Sequence, residues 1–273
     1  MDPLFRQTPR SRVGFLRPMP APSTDTAKWL KRIQPNAAPR VQLYCLAYAG
    51  GGASVFRPWK EGLPTDIQVN AVQLPGHEER LMEAPFESAR DAATALAAVI
   101  ETDCIGPYAL FGYSMGALVA FEAARELRRR GRPAPRHFFA AAMRAPQVPP
   151  TNPGLHALPE QEFLAEIGRR YEAVPEEVVA EPDLLALLLP TLRADMAICD
   201  TYTFTDEAQL QCPISVLAGE GDANIDSEQL QGWNGVSHED AEVHWFPGEH
   251  FFMREQLSQV HAVIIAGLHG VQA

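Results

Sequence analysis

The sequence lacks any apolar run long enough to span a membrane, and its N-terminus has no continuous apolar segment of the kind a signal peptide needs. Its four cysteines have no spacing that suits a metal site, and Cys45 lies in a predicted buried strand, which favours reduced thiols. Basic charge is also scarce: the net charge is −11, which argues against general nucleic-acid binding. Together these absences predict a cytoplasmic protein that binds neither a membrane nor a nucleic acid.

The negative charge is not spread evenly along the chain. Residues 1–40 hold eight Lys and Arg against two Asp and Glu, whereas the remainder holds 15 against 32. The first stretch is also rich in proline and poor in apolar periodicity, which is typical of a loosely attached extension. We therefore expect residues 1–28 to form a basic extension and residues 29–273 to form one domain. An artefact of the assigned start site is the alternative.

From residue 40 onward, apolar runs with the length of strands alternate with amphipathic runs with the length of helices. This alternation predicts an α/β fold with a mostly parallel sheet covered by helices on both faces. The predicted strands are residues 41–48, 67–74, 107–113, 137–143, 213–218 and 242–246. The predicted helices are residues 54–62, 88–101, 115–130 and 252–268.

The most informative stretch is Gly-Tyr-Ser-Met-Gly at residues 112–116. It follows a predicted strand and opens a predicted helix, which is the context of a nucleophile elbow. The turn is too sharp for side chains on its flanks, so glycines let the helix begin close to the strand. Ser114 is therefore the candidate nucleophile, and an ordinary Gly-rich turn between a strand and a helix is the alternative.

A serine nucleophile needs a histidine base and an acid that orients the histidine. Along an α/β-hydrolase chain the serine comes first, then the acid (Asp or Glu), then the histidine. Asp222 follows the predicted strand at 213–218, with Glu220 and Asp226 as local competitors. Among the eight histidines, His250 lies between a strand end and a predicted helix, where a loop can carry it over the sheet edge. We expect Asp222 to orient His250; a histidine in an exposed loop is the alternative.

The developing oxyanion needs preorganised amide donors. The first is expected to be the backbone N–H of Met115, directly after the nucleophile. The second should come from the glycine run that follows the strand at 41–48, and Ala49 is our prediction, with Tyr48 or Gly50 as alternatives. This run could instead cradle a phosphate, but it lacks the Lys-Ser/Thr ending of a P-loop.

A long segment, about residues 148–205, separates the predicted strands at 137–143 and 213–218. It is far longer than a connection needs, and it carries a leucine-rich stretch. We predict an inserted helical lid whose apolar faces line an acyl-binding channel. A helix pair that packs only on itself is the alternative.

With these residues in place, the sequence resembles the stand-alone type II thioesterases that accompany polyketide and nonribosomal peptide synthases. The resemblance runs from about residue 29 to the C-terminal helix. It rests on five segments at residues 47–53, 72–80, 108–117, 189–195 and 246–252. The chain departs from the family at three positions: Tyr113 replaces a His, Ala47 replaces a Pro, and Glu249 replaces a Gly.

The resemblance implies an α/β-hydrolase that hydrolyses acyl groups from the phosphopantetheine arm of carrier proteins. It implies no metal and no bound cofactor, and we expect a monomer. The alternatives are a carboxylesterase or an acyltransferase with the same triad, and a non-catalytic binding protein on this scaffold.

The implied partner is an acyl or peptidyl carrier protein, which is typically acidic, as is this domain. Docking would then need a local basic patch. The candidates are the N-terminal extension and an arginine cluster formed by Arg125, Arg128, Arg129, Arg130 and Arg132; a solvated helix end is the alternative reading of that cluster.

Overall fold

A computed structural model describes residues 25–150, 153–171 and 181–269. The first 24 residues of the predicted extension and parts of the predicted insertion, 151–152 and 172–180, lie outside this range. Residues 25–28 were assigned to the extension, but Asp25 already caps a short helix, α1 (Thr26–Trp29), whose Trp29 is fully buried.

The centre of the fold is a seven-stranded sheet in the order β1-β3-β2-β4-β5-β6-β7. Six strands are parallel, and their bounds agree with the predicted strands to within two residues. The strands are β1 (Leu30–Arg32), β2 (Val41–Leu46), β3 (Ile67–Val72), β4 (Tyr108–Tyr113), β5 (Phe138–Ala141), β6 (Ile214–Gly219) and β7 (Glu242–Phe246).

Strand β1 was not predicted. It pairs antiparallel with β3 at the edge of the sheet, and it has only three residues, too few to show a period. The mostly parallel α/β sheet that the sequence predicts is confirmed.

Helices cover both faces of this sheet. After α1 come α2 (Ala89–Asp103), α3 (Met115–Arg129), α4 (Glu160–Tyr171), α5 (Pro182–Asp200), α6 (Ser227–Gln231) and α7 (Leu257–Leu268). The helix predicted at 54–62 is instead a 3-10 helix, Ala53–Glu61, which contains Pro58. The helix predicted at 252–268 is divided into a 3-10 turn, Phe252–Arg254, followed by α7.

Alternation along the buried strands creates two cores, one on each face of the sheet. Tyr44 and Leu46 of β2 point to the face covered by α2 and α3. Leu43 and Cys45 point to the opposite face, which is covered by the 3-10 helix at Ala53–Glu61 and by α7. Because both faces are buried, β2 consists of buried residues throughout.

The long segment between β5 and β6 contributes α4 and α5, which share a small apolar cluster of their own around Phe163, Ile167 and Met196. Strands β2 and β4 are parallel neighbours, as are β6 and β7, so the loops that follow these four strands all lie at the carboxyl edge of the sheet.

In the portion of the chain that the structure describes, every helix is too short or too polar to cross a membrane.

Candidate active site

Ser114 occupies a strained turn between β4 and α3. Its φ of 52° and ψ of −121° lie in a region that a side chain other than glycine rarely adopts. Such a conformation costs about 1–3 kcal/mol and persists where the surroundings hold it. A Cβ atom at Gly112 would lie 2.3 Å from Ala117 Cα, and one at Gly116 would lie 2.5 Å from the carbonyl oxygen of Leu46. Both glycines are therefore required by the close approach of helix and strand.

Three side chains from separate loops form one hydrogen-bonded chain. His250 Nε2 lies 3.1 Å from Ser114 Oγ, and His250 Nδ1 lies 2.7 Å from Asp222 Oδ2. The structure thus brings together all three residues that the sequence singles out. The carboxylate accepts a hydrogen bond from the Nδ1–H group, which leaves the lone pair of Nε2 facing the serine hydroxyl.

Asp222 is buried, and its surroundings favour the charged form. Burial by itself raises its pKa, but the hydrogen bond and charge of His250, together with the amides of Asn224, outweigh it, so the pKa is lowered. Asp222 Oδ1 accepts hydrogen bonds from the Asn224 backbone amide at 3.0 Å and from Asn224 Nδ2 at 3.1 Å. The carboxylate is therefore held as an anion with both oxygens engaged.

The two competing carboxylates lie elsewhere. Glu220 is exposed, and Asp226 caps α6, where its side chain accepts the Gln229 amide in a capping box. Neither is a hydrogen-bond partner of His250.

The glycine run after β2 forms a tight turn beside Ser114. The Gly51 amide donates to the Tyr48 carbonyl at 2.8 Å, and Gly50 has a φ of +77°. The Gly50 amide donates to Asp195 Oδ2 at 2.7 Å, so it is not free to receive an oxyanion. Among the turns, loops and helix caps of the described ranges, the amides of Ala49 and Met115 donate to no backbone carbonyl. Of the alternatives weighed for the second donor, Ala49 and Tyr48 remain.

A cavity of about 160 Å³ opens over Ser114. Its floor includes Ser114 and His250, and α4 and α5 form much of its wall. The lining from these two helices is Ile167, Arg170, Tyr171, Leu192, Met196, Cys199 and Asp200. The helix pair packs on itself and also lines the cavity, so the alternative of a pair that packs only on itself is wrong.

Three supporting residues were missed by the sequence analysis. Asn224 Nδ2 also donates to the Arg170 carbonyl at 2.9 Å, which ties the Asp222 loop to the end of α4. His77 and Asp195 are buried and lie 2.8 Å apart, although they are 118 residues apart in the chain. No local pattern marks such a pair; only the tertiary fold brings it together.

At two of the positions where the chain departs from the resembled family, the structure shows where the substitute lies. The Tyr113 hydroxyl donates to the His250 carbonyl, and its ring stacks on Phe251 with centroids 6.4 Å apart. Glu249 is exposed.

The arginine cluster at the end of α3 is engaged within the molecule. Arg125, Arg128 and Arg129 all form ion pairs with Glu207. Arg130 pairs with Glu101 and Glu126, and Arg132 donates to the Cys104 carbonyl. These contacts favour the alternative reading, a solvated helix end, over a docking patch, except at Arg125, which is buried.

Across the described ranges, no group of three or more His, Cys, Asp or Glu side chains is arranged to hold a metal ion. All four cysteines are free thiols. The expectation that no cofactor is needed stays a prediction.

The carboxyl edge of the mostly parallel sheet carries a serine on a strained turn. This serine is hydrogen-bonded to a histidine, and the histidine to an aspartate, both from later loops. This arrangement defines a serine hydrolase with the α/β-hydrolase fold. Comparisons with known proteins agree. The family model of the thioesterase domain matches residues 41–267, so the chain belongs to the thioesterase family.

Its relatives include the gramicidin S biosynthesis protein GrsT of Aneurinibacillus migulanus, 35% identical over 228 residues that cover 84% of this chain and 89% of the relative. Thioesterase PikA5 of Streptomyces venezuelae is 34% identical over 87% of this chain and 84% of its own length. The solved structure of the type II thioesterase BorB, from the borrelidin biosynthetic cluster, superposes with a TM-score of 0.79 at 29% identity, covering 90% of this chain and 98% of BorB.

Proposed function

We propose that this protein is a type II thioesterase that hydrolyses acyl groups from the phosphopantetheine arm of carrier proteins in polyketide or nonribosomal peptide synthesis. The observation that carries the chemistry is the hydrogen-bonded chain from Ser114 through His250 to Asp222 at the floor of a cavity. The carrier-bound substrate is supported by relatives that are named for gramicidin S biosynthesis and for the borrelidin biosynthetic cluster.

In the first half of the reaction, Ser114 Oγ attacks the carbonyl carbon of the thioester while His250 Nε2 takes its proton. The carbonyl oxygen becomes an oxyanion, which the amides of Met115 and Ala49 stabilise. The carbon–sulfur bond then breaks, the pantetheine sulfur leaves with the proton from His250, and the acyl group stays on Ser114. Asp222 stabilises the imidazolium that forms during each transfer.

In the second half, a water molecule replaces the thiol. His250 Nε2 takes a proton from the water as its oxygen attacks the acyl carbon, and the same two amides receive the second oxyanion. The bond to Ser114 Oγ breaks, and Oγ takes back the proton, which releases the free acid. Every proton in this cycle moves through His250.

The cavity also bears on the size of the acyl group. A dry cavity of about 150 Å³ in another protein holds a benzene molecule, and the cavity over Ser114 measures about 160 Å³. Its wall combines apolar side chains with polar ones, among them Arg170, Asp200 and Tyr171, and burial raises the pKa of the Tyr171 hydroxyl to about 12. Short acyl chains are therefore the expected substrates, with α4 and α5 acting as the lid.

The experiment that tests this function measures thiol release from a short-acyl carrier protein, alongside hydrolysis of the matching p-nitrophenyl ester. Wild type and Ser114→Ala are compared on both substrates. We expect preferential turnover of the carrier thioester by the wild type and no turnover by the variant.

Two other results would reject the proposal. Turnover of the oxygen ester alone would identify an esterase. Thiol release that requires an added alcohol or amine would identify an acyltransferase, because the acyl group would then pass to an acceptor other than water.

A further inference from the structure

A second buried pair of titratable side chains lies outside the chain of Ser114, His250 and Asp222. Asp195 comes from α5, and His77 comes from the loop after β3. Their side chains are 2% and 3% exposed, respectively. Burying a charged pair costs free energy unless the two groups lie close together and their remaining polar atoms form hydrogen bonds.

Both ring nitrogens of His77 face acceptor oxygens. His77 Nε2 lies 2.8 Å from Asp195 Oδ2, and Nδ1 lies 3.0 Å from the carbonyl oxygen of Pro75. A ring that carries both protons satisfies both contacts. Burial lowers the pKa of His77, but the charge and hydrogen bond of Asp195, together with Pro75 and the charge of Glu78, outweigh it, so the pKa is raised.

The same carboxylate oxygen reaches the proposed oxyanion loop. Asp195 Oδ2 accepts the backbone amide of Gly50 at 2.7 Å. The loop is a four-residue turn, closed by the Gly51 amide on the Tyr48 carbonyl at 2.8 Å, and the φ of +77° at Gly50 is that of the third residue of a type II turn. Asp195 therefore holds the central peptide of this turn in one orientation.

The turn also determines the direction of the Ala49 amide. In a trans peptide the C=O and the N–H point in opposite directions. Because the Tyr48 carbonyl points into the turn to accept Gly51, the N–H of Ala49 in the same peptide points out of it. The hydrogen bond from Gly50 to Asp195 is one side-chain contact that fastens this turn to α5, the helix that lines the cavity.

Neighbouring residues of α5 fasten the same region. The Thr191 hydroxyl donates to the Gly76 carbonyl at 2.9 Å, one residue before His77. The Leu192 side chain packs so close to Gly50 that a Cβ added there would lie 3.2 Å from Leu192 Cδ1. Thr191 and Leu192 each lie about one helical turn before Asp195, so one side of α5 packs on both loops.

We propose that Asp195 and His77 are positioning residues that hold the oxyanion loop through the Gly50 amide, so that the inserted helix α5 completes the catalytic geometry. This inference rests on the proposed role of the Ala49 amide. Asp195 acts on Gly50, and His77 holds the carboxylate in position beside that amide through its own hydrogen bond. An amide that is displaced from the developing oxyanion stabilises the transition state much less, because this stabilisation depends on the distance from the N–H group to the oxyanion.

The test compares Asp195→Asn, which keeps an acceptor oxygen at the same place, with Asp195→Ala, which removes it. Three quantities are measured for each folded variant: kcat, KM and the affinity for a trifluoromethyl ketone analogue of the acyl pantetheine. Ser114 Oγ adds to the ketone carbon and forms a bound hemiketal oxyanion, so this affinity reports the oxyanion site. A non-reactive amide analogue reports binding of the ground state.

We expect kcat and the ketone affinity to fall together, with asparagine less affected than alanine. For alanine the loss should be at least about tenfold, with the roughly 10²- to 10³-fold loss of a whole oxyanion donor as its ceiling. KM and the affinity for the amide analogue should stay within about twofold of wild type, because the cavity lining is unchanged.

A double-mutant cycle separates His77 from a general effect on stability. Because His77 acts through Asp195, adding His77→Ala to Asp195→Ala should cost little more than Asp195→Ala alone. The matched control is Glu122→Gln, which alters another buried carboxylate; Glu122 lies in α3 and is hydrogen-bonded to Arg125 and to Tyr202. It should lower the Tm without changing kcat or the ketone affinity.

Three results would overturn the inference: a ketone affinity of Asp195→Ala within twofold of wild type, equal losses of ketone and amide affinity, or additive effects of the two alanines. The affinity for the ketone is measured without any carrier thioester. The three results therefore keep their meaning even if the wild type proves inactive on carrier thioesters. That inactivity would refute the proposed substrate and leave the positioning role to be judged on the ketone.

Discussion

The hydroxyl of Tyr113 donates a hydrogen bond to the backbone carbonyl of His250, so the residue before the candidate nucleophile holds the loop that carries the candidate base. The two residues are 137 positions apart in the chain. The link spans from the end of β4 to the loop after β7. Tyr113 is buried and is not one of the residues that line the cavity over Ser114.

Tyr113→Phe removes this hydrogen bond and leaves a buried carbonyl without its donor, which costs about 1–3 kcal/mol. We expect a lower Tm and a fall of several-fold in kcat, with KM unchanged. The matched control is Tyr108→Phe, since the Tyr108 hydroxyl donates to the Pro133 carbonyl at the other end of the same strand. Equal loss of kcat in both variants would show that the link has no special effect on His250.

Asn224 is expected to act through Asp222. Asn224→Ala removes the side-chain bond to Asp222 Oδ1 but keeps the backbone amide bond, so the loss should be about 1 kcal/mol, roughly fivefold in kcat. Asn224→Asp has the same shape but places a second negative charge against Asp222, and it should lose more. Steady-state kinetics of both variants provides the check, and wild-type activity in Asn224→Asp would contradict this role.

Gly116→Ala should be far more harmful than an ordinary change from glycine to alanine. The added Cβ would lie 2.5 Å from the backbone oxygens of Leu46 and Ala47, so α3 must move away from β2 and take Ser114 with it. We expect a loss of about 3 kcal/mol or more in the free energy of unfolding, with no measurable turnover. Gly168→Ala is the control, because a Cβ there meets nothing within 4 Å and helix propensity favours alanine by about 1 kcal/mol. Chemical denaturation measures both changes.

Acid should destabilise the fold partly through His261. This ring packs against Trp59, and burial lowers its pKa from 6.5 to about 4. The unfolded chain therefore binds a proton at a higher pH than the folded one. The neutral ring contributes its full stability above pH about 6.5, and this is lost as the pH falls towards 4, by about 3 kcal/mol in total.

His261→Phe keeps an aromatic ring at this place but cannot take up the proton. The difference in unfolding free energy between wild type and His261→Phe should therefore shift in favour of the variant between pH 7 and pH 4. Urea denaturation at several pH values measures it, with the exposed His238→Phe as the control. A constant difference across this range would show that His261 does not contribute.

Much of the candidate site could be predicted because its signals are local. The glycines at 112 and 116 mark a sharp turn whatever surrounds it, and Asp222 and His250 each follow an apolar run with the length of a strand. Parallel strands bring their carboxyl ends to one edge, so residues in these loops are expected to meet. The bounds of the parallel strands followed from the same apolar runs to within two residues.

What the sequence by itself determined was therefore the order of the elements, the elbow and the three side chains of the hydrogen-bonded chain. Only the tertiary structure decided which distant polar groups support them. The pairing of His77 with Asp195, the contact of Asn224 with Asp222 and the ion pairs of Glu207 with the α3 arginines join residues far apart in the chain or show no periodicity. Burial makes such pairs matter, because a polar group removed from water must find a partner, and the partner is decided by packing.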